Sequence, residues 1–428
     1  MKKALVMGVQ SSGISAKHLL EREGYEVRLY DDRLELPNNY KDRVEEALEG
    51  LELIVVSPSI PYDHPVVKEG EAMGIKVISE LELGASYLSA VKIAVTGTNG
   101  KTTTVDMLEK LLKIMGKRVR TMGNVGYPVS QVVLDGEELD YAIIECSSFQ
   151  LERTYTLKPK YAYFLNLSPD HMDRYQSYDD YFNAKKRIFN MQSATDYAFL
   201  NGDSRQLREL GKKLSANVKY ISTREQKGDI FVKDNYFYVG GQPLISVRES
   251  RARGEHNRFN MMAVLSLGKL LGATKEQLMA FVREYRILPH RVEFVCTKNG
   301  ISFYNDSKGT NVGACLAAIE TVGGNVGLIM GGSDKKEDYT EFFDEIYDKV
   351  RFTCISGANA EKIYASAMKV GYTDVKILPT LDDCVKELSS IKGIDTVLFS
   401  PASASFDRYH NYQERGEFFK NRVYALKA

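Results

Sequence analysis

Val91-Lys92-Ile93-Ala94-Val95-Thr96-Gly97-Thr98-Asn99-Gly100-Lys101-Thr102-Thr103-Thr104 is the stretch on which the reading of this chain turns. Residues 91–95 form a short, mostly apolar run of the kind that fills a buried strand. Two glycines bracket the turn that follows, and a helical pattern then runs to about Met115. A strand, glycine turn and helix in direct succession suit a phosphate. Glycines let backbone N–H groups approach its oxygens, the helix N-terminus favours its charge, Lys101 can reach between phosphates, and Thr102 offers a hydroxyl to Mg²⁺. The turn is shorter than the common G-x-x-x-x-G-K-[ST] loop, because the residue five before Gly100 is Val95. It reads as an ATP site candidate, with a plain glycine turn bearing a surface lysine as the alternative.

Working outward, a strand over residues 141–144 delivers Glu145 to its end, where a phosphate site needs a metal carboxylate. A strand over 161–165 runs into Asn166-Leu167-Ser168-Pro169-Asp170-His171-Met172-Asp173, a polar cluster with three candidate ligands. A helix over 178–189 carries adjacent Lys185 and Lys186, and the residues alone do not choose between them. A hairpin region is expected between 218 and 247, and a helix over about 257–271. Before this block, strands at 4–7, 26–30, 53–56 and 76–78 and a helix near 15–22 form one α/β set. After Leu288-Pro289-His290-Arg291 the pattern restarts with strands at 292–296, 301–304, 327–330, 352–355 and 397–399. Alternating strands and helices predict parallel α/β units.

The 428 residues suit two to four domains. Hydrophobic residues make up 43% and charged ones 27%, enough apolar surface for several cores. Lys plus Arg (57) balance Asp plus Glu (57), so no overall field draws the chain to nucleic acid or an anionic membrane. Its apolar runs fall short of the ~18 residues a membrane helix needs, and the stretch after Lys2 and Lys3 is too short for a secretory core. A cytoplasmic protein is expected. Five scattered cysteines, without a C-x-x-C pair, predict reduced and mostly buried thiols.

Together, Thr96–Thr103, Gly123-Asn124-Val125-Gly126, Glu145-Cys146-Ser147-Ser148-Phe149-Gln150-Leu151-Glu152 and Asp170-His171-Met172-Asp173-Arg174-Tyr175 resemble the Mur ligase family. So do His256-Asn257, Leu288–Glu293, Asn305-Asp306-Ser307-Lys308-Gly309-Thr310-Asn311 and Ser400-Pro401-Ala402-Ser403-Ala404-Ser405-Phe406-Asp407, in order along nearly the whole chain. The resemblance implies three domains: a Rossmann-like UDP-substrate domain over 1–91, a central P-loop-type ATPase domain over 92–289, and a Rossmann-like amino-acid domain over 290–428. It implies an ATP-dependent amide ligase, closest to members that add D-glutamate to UDP-N-acetylmuramoyl-L-alanine. In such ligases ATP phosphorylates the substrate carboxylate and the amine attacks the acyl phosphate, giving a tetrahedral intermediate.

By the same resemblance Gly97, Thr98, Asn99, Gly100, Lys101, Thr102 and Thr103 hold the phosphates, and Asn257, Asn260, Arg291 and Asp306 meet the nucleotide. Thr102, Glu145, His171 and Lys185 surround two Mg²⁺ ions, with Lys185 carbamylated, a change that turns a cation into a carboxylate-like ligand. Lys101, Glu145, His171 and Lys185 form the catalytic set. Lys308, Thr310, Lys335, Ser405 and Tyr412 face D-glutamate, although Ser333 stands where the family usually has Asp and Tyr412 where it has Phe. The implied partners are small molecules, and a monomer is expected.

The first block also invites a dinucleotide reading, with an acidic strand end at Asp31-Asp32. Gly8-Val9-Gln10-Ser11-Ser12-Gly13 is not G-x-G-x-x-G, however, so a hydride-transfer enzyme lacks its key turn. The resemblance instead places UDP at Ser11, Ser12, Asp32 and Arg33, with Ser57-Pro58-Ser59 as a third loop and Asn124 reaching from the central block. Two other readings share the fold: a Mur-type ligase for another amino acid, and a catalytically silent nucleotide-binding protein. The second should have lost Lys101, Glu145, His171 or Lys185, and all four are present.

Overall fold

The structure, a computed structural model, describes residues 2–34, 39–172, 174–224, 230–252, 254–334 and 338–426. The chain divides into two compact units. One comprises Met1–Leu167, Ser177–Glu249 and Phe259–Arg283, the other Ser168–Gln176, Ser250–Arg258 and Glu284–Ala428.

In the first unit β1 (Lys2–Met7), β2 (Tyr25–Tyr30), β3 (Leu53–Val56) and β4 (Lys76–Ser79) pair in parallel, in the order β2-β1-β3-β4. Successive residues of a strand point to opposite faces, so a sheet covered on both sides needs consecutive apolar residues. Leu5, Met7, Ile54 and Val56 accordingly pack with Val66 and Val67, while Ala4, Val6 and Val55 join Leu19 and Leu20 in a separate cluster.

A second parallel sheet contains β5 (Val91–Thr96), β6 (Val119–Gly123), β7 (Tyr141–Glu145), β8 (Tyr161–Phe164), β9 (Tyr197–Asn201) and β10 (Asn217–Ile221). Its order is β10-β9-β8-β5-β7-β6. The chain leaves β5 for β6 at one edge and later fills the other side with β8, β9 and β10. That reversal falls at β5, and the C-terminal ends of strands at such a switch point are where open α/β sheets bind ligands.

β11 (Ile230–Lys233), β12 (Tyr236–Val239) and β13 (Gln242–Ser246) form a small antiparallel sheet. The hairpin expected across 218–247 is thus confined to 230–246. Residue 218 belongs to β10, which pairs in parallel with β9, an alignment that a local pattern cannot announce.

Helix Glu80–Tyr87 ties the first two sheets together. Ser79 caps it by accepting from Glu82 N at 3.2 Å. Glu80 accepts from Ser130 N at 2.7 Å, and Glu82 accepts from Thr156 N and Oγ1 at 2.7 and 2.6 Å and from Leu157 N at 3.2 Å. Both carboxylates are buried.

The second unit contains β14 (Glu293–Lys298), β15 (Ile301–Asn305), β16 (Val326–Met330), β17 (Val350–Ile355), β18 (Val375–Ile377) and β19 (Thr396–Phe399). They form one sheet in the order β14-β15-β19-β16-β17-β18, antiparallel only between β14 and β15. Leu328, Met330 and Leu398 enter one core cluster, while Ile329, Val397 and Phe399 enter another. All five cysteines are free thiols, and four are buried.

Candidate active site

The C-terminal end of β5 becomes the turn Gly97–Gly100. Gly100 takes the left-handed conformation (φ 82°) as the residue before helix Lys101–Ile114, and the helix has no side-chain cap. Uncapped N–H groups at a helix start are the donors that anions use. Lys101 folds back, its Nζ donating to Gly97 O at 2.9 Å and Thr98 O at 2.8 Å. Lys185 Nζ donates to the same Gly97 O at 2.8 Å. Lys185 is 1% exposed and lies 4.7 Å from the ring centroid of Tyr181, whose hydroxyl is 3.2 Å from Thr98 Oγ1. Lys186, its neighbour, is only partly buried.

Two lysine side chains thus share one carbonyl acceptor in a largely buried place. Two ammonium groups there repel each other, and making one of them anionic would turn repulsion into attraction.

Glu145 ends β7 beside β5, paired with Val95, and is 1% exposed. Asn124 Nδ2 donates to its Oε1 at 2.7 Å, while Oε2 has no hydrogen-bond partner among the described residues. A buried carboxylate oxygen without a donor suits a metal ion, the partner that a carboxylate accepts without a proton. The unpartnered Oε2 of Glu145 therefore suits a Mg²⁺ ion. Among the described residues no group of three or more His, Cys, Asp and Glu side chains could hold a metal. A metal ion beside Glu145 would therefore need further oxygen ligands of other kinds.

Asn166, which the sequence reading passed over, clamps the turn. Its Nδ2 donates to Asn99 O at 3.0 Å and its Oδ1 accepts from Asn99 N at 2.9 Å, while Thr98 N donates to its backbone O at 3.0 Å. Its place at the end of an apolar strand was visible, but its partner lies 67 residues away. Asn260 is buried with its amide against Gly100. The Ser147–Gln150 part of the Glu145 motif acts locally, since Ser147 and Gln150 form a capping box on helix Ser148–Leu151.

The first sheet gathers the residues expected for UDP. Ser11 opens helix Ser11–Arg22, Ser12 Oγ is 3.2 Å from Ser57 Oγ, and Ser57 Oγ donates to Gly8 O at 2.6 Å. Asp32 and Arg33 follow β2, Arg33 exposed and its N–H on Asp31. Asn124 is held on Glu145.

His171, Asn257, Arg291, Asp306, Lys308, Thr310, Ser405 and Tyr412 belong to the second unit. His171 has φ 60°, and its N–H donates to Asp170 Oδ1 at 3.0 Å; Asn311 Nδ2 donates to Asp170 Oδ2 at 3.2 Å. Asp306 accepts from Ser400 Oγ at 2.7 Å and Val292 N at 3.2 Å. Burial pushes its carboxyl up to about 7 despite Ser400, Arg291 and Val292. Burial, with Arg291 adding to it, lowers His256 to about 4. Lys308 Nζ lies 4.1 Å from the Tyr412 ring centroid, and Ser405 is buried. Lys335 and Asp173 fall outside the described residues.

Arg415, also missed, organises this group. Its guanidinium donates to Ser307 Oγ and O, Ser403 O and Ala404 O at 2.8–3.0 Å, joining the loops that carry Lys308 and Ser405. No local signal separates it from a surface arginine.

A parallel α/β sheet that reverses at a glycine turn opening a helix is the frame of nucleotide-binding α/β proteins. Residues 95–268 match the Mur ligase middle domain, and 290–403 the glutamate ligase domain of Mur ligases. The whole chain is 35% identical to the UDP-N-acetylmuramoylalanine–D-glutamate ligase of Caldanaerobacter subterraneus subsp. tengcongensis, covering 99% of that protein. It is 36% identical to the ligase of the same name from Geotalea uraniireducens, with 99% of this chain and 98% of that one covered. The solved MurF ligase from Thermotoga maritima, in complex with ADP, aligns over 93% of this chain and 96% of its own, with TM-score 0.63 and 18% identity. The MurC UDP-N-acetylmuramate–alanine ligase from the same organism aligns over the whole of both chains, with TM-score 0.60 and 18% identity. This chain belongs to the Mur ligase family. Among its described residues no helix is long and apolar enough to cross a membrane.

Proposed function

We propose that this protein is an ATP-dependent amide ligase that joins D-glutamate to UDP-N-acetylmuramoyl-L-alanine, giving ADP and phosphate, in cytoplasmic synthesis of peptidoglycan precursors. Full-length likeness to relatives named for this reaction carries the choice of amino acid. Support for the chemistry comes from the Gly97 turn, where Lys101 and Lys185 meet one carbonyl.

In this reading the turn N–H groups and Lys101 hold the ATP phosphates, and Asn257, Asn260, Arg291 and Asp306 meet the nucleotide. Thr102, Glu145, His171 and Lys185 hold Mg²⁺, Lys185 as a carbamate. Two such ions supply charge neutralisation on the transferring phosphoryl group. Lys101 orients the terminal phosphate toward the substrate carboxylate, which becomes an acyl phosphate. The D-glutamate amine attacks its carbonyl carbon, and phosphate leaves the tetrahedral adduct. Lys308, Thr310, Lys335, Ser405 and Tyr412 grip D-glutamate, while Ser11, Ser12, Asp32, Arg33, Ser57 and Asn124 bind the UDP substrate. Domains over 1–91, 92–289 and 290–428 divide these roles within a monomer.

The test is phosphate release from ATP and Mg²⁺ with UDP-N-acetylmuramoyl-L-alanine and one amino acid at a time. Release is expected with D-glutamate and not with L-glutamate, D-alanine or L-lysine. Release with another amino acid would reassign the chain within the family, and none with any would end the ligase reading. Lys185→Ala should lose ligation and regain part of it with added short carboxylates; near-normal turnover without them would remove the carbamate.

A further inference from the structure

At the end of β2 the structure has a second built arrangement, which the phosphate chemistry does not use. His64 precedes helix Pro65–Ala72, and its Nδ1 accepts from Val66 N at 3.3 Å. An Nδ1 that accepts leaves the ring proton on Nε2, since a neutral imidazole has one donor and one acceptor nitrogen. Nε2 lies 3.1 Å from Asp32 Oδ2. Tyr30 OH donates to the other oxygen, Asp32 Oδ1, at 3.0 Å, and its ring meets the His64 ring edge-on with centroids 5.6 Å apart. Burial, and then the bond to Asp32, push the Tyr30 hydroxyl up to about 12, so it remains a donor at neutral pH.

The clamp is asymmetric. The His64 side chain is 10% exposed, whereas that of Asp32 is 44% exposed. Each carboxylate oxygen has one donor behind it and retains acceptor capacity on its open side. A rigid carboxylate of this kind suits neighbouring donors on a ligand, such as the imide N–H of uracil or the ribose hydroxyls.

We propose that His64 is a positioning residue for the UDP substrate, holding the Asp32 carboxylate in the orientation that accepts hydrogen bonds from the uridine moiety. The inference rests on the reading of Asp32 as a substrate contact, so the experiment separates the two. His64→Asn keeps the helix cap, because Asn caps helices well, but is too short to reach Asp32. Asp32→Asn keeps the shape and exchanges one acceptor for a donor. Both variants are titrated with UDP alone and assayed with all three substrates, and their melting temperatures are compared with that of the parent.

His64→Asn should raise KM for UDP-N-acetylmuramoyl-L-alanine and Kd for UDP roughly three- to tenfold, the usual range for one lost hydrogen bond. Its kcat, its KM for ATP and its melting temperature should stay unchanged. Asp32→Asn should weaken UDP at least as much. If Asp32→Asn weakens UDP and His64→Asn does not, the positioning role is wrong while the substrate reading stands. If neither changes UDP binding, the substrate reading of Asp32 fails and the inference with it. A fall in melting temperature and kcat alongside the KM change in His64→Asn would make His64 merely structural.

Discussion

The chain builds one local object twice. β1 leads through the Gly8 turn into helix Ser11–Arg22, and β5 leads through the Gly97 turn into helix Lys101–Ile114. The first turn is closed by a hydroxyl and a carboxylate. Ser57 Oγ donates to Gly8 O, Val9 N donates to Asp31 Oδ2 at 2.8 Å, and a Cβ on Gly13 would lie only 2.0 Å from Gly8 O. Burial works to raise the Asp31 carboxyl, but the N–H groups of Val9, Arg33 and Leu34 outweigh it and hold it below the ordinary value. An anion is therefore built into the first turn, whereas the second carries Lys101 and Lys185 on Gly97 O. The residues of the first turn, Gly8 to Gly13, include no cation, whereas the second turn ends in Lys101. The strand–turn–helix frame is common to both, and the side chains that fill the turn decide which of them can do phosphate chemistry.

The strongest way to break this contrast is to remove the charge from the second turn. Lys101→Met keeps most of the length and loses the ammonium group. Phosphate release should fall by about 10²- to 10³-fold, the scale of losing one preorganised electrostatic donor. Affinity for UDP, which the proposed function places on the other turn, should not change in a direct titration. Near-normal release would erase the functional difference between the turns.

A smaller effect tests how the two turns are joined. Glu80, in the helix between their sheets, is fully buried, and desolvation pushes its carboxyl from 4.5 to about 7 against the Ser130 hydrogen bond. Between those two pH values the folded protein binds more protons than the unfolded one, so this group's contribution falls as pH rises through the window. It is unfavourable in full above pH 7. Glu80→Gln can still accept from Ser130 N and does not ionise. It should exceed the parent in stability at pH 8 by up to about 3 kcal/mol, with the gap closing toward pH 4.5. Thermal or urea unfolding at pH 5 and pH 8 measures this. A Gln variant less stable at pH 8 would show that the buried group is a favourably paired anion.

The contrast between the turns also marks what was legible in the sequence. The strand at Leu53–Val56 was read to the residue, because a short apolar run between turn signals has few alternatives. The Gly97 turn was equally plain. β6 escaped because Arg120 and Thr121 interrupt its apolar pattern, and β18 because three residues carry no period. The side-chain clamps were hidden for another reason. Asn166 reaches Asn99 across 67 residues, Arg415 reaches Ser307 across 108, and His64 reaches Asp32 across 32. Spacing reports neighbours along a helix or strand, not partners that only the folded sheet brings together. Lys185 and Lys186 make the same point at short range, since burial distinguishes them and composition cannot.

The smallest expected effect sharpens the comparison by setting a third lysine beside the first two. Lys101 and Lys185 are oriented by a backbone carbonyl, whereas Lys308 lies over the face of Tyr412. The attraction of a cation to a ring comes from the negative π-face, which phenylalanine has as well. Tyr412→Phe should therefore leave KM for D-glutamate within about twofold, and Tyr412→Leu should raise it about two- to fivefold, the modest value of a half-buried cation–π contact. Equal losses in the two variants would move the role from ring to hydroxyl. Tyrosine at this position would then alter how the amino acid is gripped, and the lysine of the second unit would be held, like those of the first, by a hydrogen-bonding group.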